Sequence, residues 1–132
     1  MVILVAEDDP LILMTLETYF TKEGYDVIAT KNGREALKKI EEALPDIIIT
    51  DVMMPFYSGF EIISRIRNEY NKKISVIVLS AMGQESAVKE AFELGADDYV
   101  TKPFSLVELS LRVNRLVKIK ARNASLKLQE KL

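Results

Sequence analysis

Short, almost wholly apolar runs alternate five times with stretches patterned for helices. No other feature of the sequence constrains the fold as much. The runs are Val2–Ala6, Tyr25–Ala29, Asp46–Thr50, Ile74–Leu79 and Tyr99–Thr101. A strand with one wet face alternates apolar and polar residues, whereas a strand covered on both faces does not. The first, third and fourth runs are nearly all Val, Ile, Leu or Ala, so they read as strands sandwiched between helices.

The helical stretches carry their own punctuation. Asp9-Pro10 offers an N-cap followed by proline at the first helical position. Leu13, Leu16 and Phe20 then repeat at helical spacing, and Gly24 suits the C-terminal end. Asn32 opens a second helix through Ala36, Leu37 and Ile40, with Pro45 beyond its end. Ser58-Gly59-Phe60-Glu61 forms a capping box ahead of Ile62, Ile63 and Ile66. A fourth helix runs from about Gln84 to Leu94 and stops at Gly95, and Ser105 with Glu108 predicts a second capping box for a fifth. Strand and helix alternating in this way imply parallel strands joined by right-handed crossovers, a doubly wound α/β sandwich. No internal repeat, low-complexity segment or second domain is visible in these 132 residues.

The chain has no cysteine, histidine or tryptophan. That excludes disulfides, thiol nucleophiles, thiolate or imidazole metal ligands, and a Ser-His-Asp triad. What chemistry it has must come from carboxylates, hydroxyls, lysine, arginine and backbone, a set suited to hard cations and phosphate. No apolar run approaches the roughly 20 residues that span a membrane. Met1–Val5 is short, lacks a basic flank and meets Glu7-Asp8-Asp9 at once, so it reads as a strand rather than a signal peptide and the expected location is cytoplasmic.

In open α/β sheets the functional crevice lies beyond the carboxyl ends of the strands, where strand order reverses. Those ends carry Glu7-Asp8-Asp9, Asp51, Ser80-Ala81 and Lys102-Pro103. If the first and third strands are neighbours, their carboxylates converge and repel, and such a cluster calls for a cation. Oxygen ligands alone point to Mg²⁺, and Lys102 supplies a compact positive charge suited to a phosphoryl group. Taken singly these residues have plainer roles. Asp9 is a helix cap before it is a ligand, Ser80 a turn residue, Lys102-Pro103 a loop, and Tyr99 a half-buried aromatic on an edge strand.

Together, Ile3–Asp9, Ile48–Pro55, Val78–Ala81 and Gly95–Phe104 resemble the receiver domains of two-component response regulators over residues 2 to about 118. The resemblance implies a flavodoxin-like sheet of order 2-1-3-4-5. It implies Asp51 as phosphoacceptor from a sensor histidine kinase or a histidine phosphotransfer protein. It further implies Mg²⁺ (or Mn²⁺) on Asp8, Asp51 and the Met53 backbone carbonyl, with Glu7 acting through water. Ser80 and Lys102 would each hold a phosphate oxygen, and Tyr99 resembles the aromatic that switches rotamer with Ser80. The fourth helix, fifth strand and fifth helix would form the surface read by an output domain or effector, with a homodimer left open. Such a domain is a signalling module that assists only its own phosphorylation and dephosphorylation. One departure is Ser58-Gly59 where the family often has Asp-Gly; serine caps as well, and no site residue is affected.

Two other classes compete. An aspartate-nucleophile phosphatase would want its nucleophile and a two-apart acid pair on the first strand, whereas Asp51 follows the third. A flavodoxin-like cofactor binder would want a Ser/Thr/Gly-rich loop after the first strand, where Glu7-Asp8-Asp9 would repel phosphate.

Charge is unevenly spread. Arg112, Arg115, Lys118, Lys120, Arg122, Lys127 and Lys131 face one acid, Glu130, over the last 21 residues, while the preceding 111 carry a net charge of -8. Residues 119–132 read as a basic helical extension or linker to residues 1–118. Val117, Ala121, Ala124 and Leu128 form a seam shorter than the roughly three to four heptads a coiled coil needs. No groove-reading motif accompanies the charge, so nucleic-acid binding is not assigned to this domain.

Overall fold

A computed structural model describes residues 1–70 and 74–131. The elements are β1 (Val2–Ala6), α1 (Pro10–Lys22), β2 (Asp26–Thr30), α2 (Gly33–Ala43), β3 (Ile47–Thr50), α3 (Gly59–Glu69), β4 (Ser75–Ser80), α4 (Glu85–Leu94), β5 (Asp98–Thr101) and α5 (Leu106–Glu130). They fall into two units, Met1–Lys102 and Pro103–Leu132.

The three most apolar runs become the three central strands. The sheet is wholly parallel in the order β2-β1-β3-β4-β5. Strand side chains alternate between faces. Leu4, Ala6, Ile48, Val76 and Val78 therefore share one face, where they join Ala36 and Ile40 of α2, Ile62, Ile63 and Ile66 of α3, and Ala91 of α4 in one buried cluster. Ile3, Val5, Ile47, Ile49 and Ile77 point the other way and are also buried. α1, with Leu16 and Phe20 buried four residues apart, packs against β1 and β2. Cutting one of these isoleucines to alanine costs roughly 2–5 kcal/mol, so both faces of the sheet hold the strand ends in place.

The helix ends follow the sequence closely. Asp9 Oδ1 accepts from Leu11 N at 2.9 Å and Ile12 N at 3.3 Å, capping α1. The α1 C-cap is Glu23, and Gly24 stands one place beyond it at φ 98°. α2 ends on Leu44 in the left-handed region, φ 46°, immediately before Pro45. Ser58 and Glu61 make both bonds of their capping box at 3.2 Å. Strands β2, β3 and β4 begin one residue later than expected and β5 one earlier. In β2 the strand takes in Thr30, whose hydroxyl donates to the Val5 carbonyl at 2.8 Å.

In the second unit α5 runs unbroken for 25 residues. Its expected capping box is only half made. Ser105 Oγ accepts from Glu108 N at 3.2 Å, while the Glu108 carboxylate turns to Arg112 at 3.1 Å, the partner one helical turn on.

Candidate functional site

Strand register brings the site together. Ala6 lies opposite Thr30 on one side and Thr50 on the other, so the next residues, Glu7 and Asp51, leave adjacent strands side by side. Asp51 N donates to Ala6 O at 2.9 Å and Glu7 N to Thr30 O at 3.0 Å, extending the ladder into the site. On the far side Ser80 pairs with Thr101, and Lys102 N donates to Ser80 O at 2.9 Å.

Lys102 Nζ bridges two carboxylates, donating to Glu7 Oε1 at 2.5 Å and Asp51 Oδ2 at 2.8 Å. Asp51 Oδ1 accepts from Val52 N at 2.6 Å and Met53 N at 3.4 Å, so the loop after β3 holds the other oxygen. Glu7 Oε2 accepts from Asp9 N at 3.1 Å. Glu7 and Asp51 are buried, whereas Asp8 is exposed. One oxygen from each of these three acids lies within 4.8 Å of the others.

The electrostatics follow from that count. Three carboxylates and one ammonium stand together, leaving an excess of two negative charges when all are ionised. Burial pushes the Glu7 carboxyl above its usual range; the Lys102 bond and the Asp9 amide work against that, and the Asp51 charge adds to it. Burial would lower the Lys102 pKa, but the hydrogen bonds it donates to Asp51 and Glu7, with their charges, outweigh it and hold the ammonium above its ordinary value. A partly buried cluster of hard oxygens with surplus negative charge could hold a metal ion, and carboxylate donors suit a hard cation. The site thus fits a divalent cation by donor chemistry and by charge.

Ser80 and Tyr99 meet through a residue the sequence did not single out. Ser80 Oγ accepts from Met82 N at 3.1 Å, and the Tyr99 hydroxyl donates to Met82 O. Burial pushes the Tyr99 hydroxyl up, the neighbouring Ser80 hydroxyl lowers it, and the Asp51 charge raises it further. Met82 also lines an open hollow with Asp8, Met53 and Pro55, beside the acidic cluster.

A family model described as the response regulator receiver domain matches residues 3–114. The chain belongs to this family. The receiver is 44% identical over 116 residues to Response regulator RR06 of Streptococcus pneumoniae, covering 88% of this chain and 52% of that protein. It is 40% identical over 116 residues to the alkaline phosphatase synthesis transcriptional regulatory protein PhoP of Bacillus subtilis, covering 88% of this chain and 48% of that one. It thus spans about half the length of these curated relatives. Among solved structures, the Francisella response regulator 1452 receiver domain superposes with a TM-score of 0.83 at 38% identity, over 89% of this chain and 96% of that one. The fold is flavodoxin-like, and the domain is a signalling domain of two-component systems, in which response regulators work with histidine kinases and output domains. Among the described residues no helix is long and apolar enough to cross a membrane.

All the residues named from the sequence lie at this end of the receiver's sheet. Glu7, Asp8 and Asp51 cluster, Lys102 bridges Glu7 and Asp51, Met53 reaches Asp51 through its amide, and Ser80 and Tyr99 converge on Met82. Asp9 caps α1. Sequence reasoning missed Met82, because its contribution is main-chain. It also read Asn32 only as a helix start, and did not single out the next residue, Gly33, whose amide donates at 3.2 Å to Pro55 O in the loop that follows Asp51.

Proposed function

We propose that this receiver is a phosphorylation-dependent switch that takes a phosphoryl group onto Asp51 from a phosphohistidine of a sensor histidine kinase or a histidine phosphotransfer protein. The observation that carries this reading is the cluster of Glu7, Asp8 and Asp51, with Lys102 bridging Glu7 and Asp51. Mg²⁺ (or Mn²⁺) would be held by Asp8, Asp51 and the Met53 carbonyl, with Glu7 acting through water. When bound, it supplies the charge neutralisation that phosphoryl transfer chiefly requires.

The chain's own groups do the rest. Asp51 is a carboxylate and needs no base. One of its oxygens forms the new P–O bond as the P–N bond breaks, and the imidazole nitrogen leaves with the electron pair. Lys102 already spans Glu7 and Asp51, so it moves from the Asp51 oxygen to a phosphoryl oxygen while keeping Glu7. The acyl phosphate places about -1.5 to -2 charges where a carboxylate stood. Ser80 then turns its hydroxyl to the phosphoryl group and releases the Met82 amide. Tyr99 holds the carbonyl of that same residue, so the two bonds break or re-form together. That coupling carries the charge change to the surface of α4 and β5.

Residues 1–118 form the receiver in this reading, and 119–132 a basic helical extension or linker that continues α5. The domain acts in the cytoplasm, turning over no substrate but its own phosphoryl group. Intact-mass measurement after incubation with Mg²⁺ and acetyl phosphate tests the assignment. The expected result is a gain of one phosphate, absent in Asp51→Ala and in the presence of a chelator. A gain that survives both controls refutes it.

A further inference from the structure

The loop joining β3 to α3 holds a turn that should not persist unaided. Tyr57 N donates to Pro55 O at 3.0 Å, closing a three-residue turn around Phe56, whose φ is 74°. This is the rare hand of the γ-turn, strained for a residue with a side chain, and such strain survives only where neighbours over-determine it.

The neighbours here are the first residues of α2. Gly33 N donates to the same Pro55 oxygen at 3.2 Å. A Cβ on Gly33 would lie 2.1 Å from Tyr57 O and 2.6 Å from Tyr57 Cβ, so any side chain would push the loop away. Gly33 has no positive φ, and close approach rather than backbone freedom therefore calls for glycine. Arg34 sets its guanidinium 3.7 Å over the Phe56 ring, a cation–π contact. At the other end of the loop Gly59 N donates to Val52 O at 2.8 Å, and a Cβ there would lie 2.2 Å from Asp51 O. Met53 sits between these two clamps, with its amide on Asp51 Oδ1.

We propose that the N-terminus of α2 is a positioning element for the metal pocket: Gly33 and Arg34 seat the strained Phe56 turn, and the seated turn sets where Met53 presents its backbone beside Asp51. This rests on the metal reading given above. It makes two residues on a helix that contributes no ligand into determinants of cation affinity.

Mn²⁺ titration of the full chain, with free Mn²⁺ counted by electron paramagnetic resonance, tests it. Gly33→Ala is expected to weaken binding by about tenfold or more, although alanine is the better helix former. Arg34→Met is expected to weaken binding by about two- to fivefold, the range of an exposed cation–π contact, and Arg34→Lys to recover most of that loss. Gly95→Ala is the comparator. It places a methyl 2.8 Å from Arg67 at φ 114°, remote from the loop, and should lower the thermal midpoint while leaving Mn²⁺ affinity at the wild-type value. Wild-type affinity in both Gly33→Ala and Arg34→Met overturns the inference while leaving the metal reading intact. Equal weakening in Gly95→Ala also overturns it, since the loss would then be general. Absence of Mn²⁺ binding by the wild type overturns the metal reading and this inference together. Should Gly33→Ala fail to fold, Arg34→Met decides alone, and unchanged affinity there counts against the proposal.

Discussion

The two edges of the sheet both carry acids and cations, yet they use them differently. At the amino-terminal edge Asp46, Asp97 and Arg67 are each satisfied by hydrogen-bond partners. Asp46 Oδ2 accepts from Val2 N at 2.8 Å, and Asp97 Oδ2 accepts from Val76 N at 2.8 Å and from Arg67 at 3.0 Å. Arg67 also donates to Gly95 O at 2.8 and 3.0 Å and to Ile74 O at 2.6 Å, tying α3 to the starts of β4 and β5. At the carboxyl-terminal edge Glu7, Asp8 and Asp51 crowd together, and one lysine bridges Glu7 and Asp51. These groups at the first edge are saturated and serve the fold. The second keeps surplus negative charge, a local conflict that folding alone would not select and that a cation relieves.

The largest expected effect breaks the saturated edge. Arg67→Met removes donors from two backbone carbonyls and a carboxylate in a half-buried setting. It should lower unfolding free energy by roughly 2–4 kcal/mol, measured by urea denaturation, with Mn²⁺ affinity unchanged. At the unsaturated edge the sign reverses. Asp8→Asn removes one of three crowded charges and should raise the metal-free thermal midpoint by about two to four degrees, while weakening Mn²⁺ binding by about tenfold or more. If Asp8→Asn destabilises the metal-free protein, the conflict at that edge is not real and the contrast fails.

This contrast also marks what could be read in the sequence. Val2–Ala6 and the other apolar runs announced covered strands, and strand ends followed by acids announced a pocket, because both signals are local and periodic. Asp9, Asn32 and Ser58 were legible as caps for the same reason. Strand order needed the family resemblance, since nothing local says that β1 lies between β2 and β3. Arg67 was invisible because its partners lie up to 30 residues away and two of them are carbonyls, which every residue has. Gly33 and Met82 escaped in the same way, being recruited through backbone approach rather than side-chain chemistry. The Ser105–Glu108 pattern shows the opposite failure, a local signal outcompeted by an equally local one when Arg112 drew Glu108 away.

The smallest expected effect sharpens the comparison at the junction between site and surface. Tyr99→Phe keeps the buried ring and removes only the hydroxyl that donates to Met82 O. The freed carbonyl belongs to a half-buried residue that water can reach, so the stability cost should be about 1 kcal/mol or less. Asp51, Lys102 and the acid cluster are untouched, and phosphate uptake from acetyl phosphate should stay within about twofold of wild type. What should change is the segment the bond holds. Amide hydrogen exchange over residues 82–85 is expected to quicken by about fivefold, the opening that loss of one ~1 kcal/mol contact allows. Exchange at wild-type rate there would mean that Ser80 alone restrains Met82, and that Tyr99 packs in the core without reporting on the site.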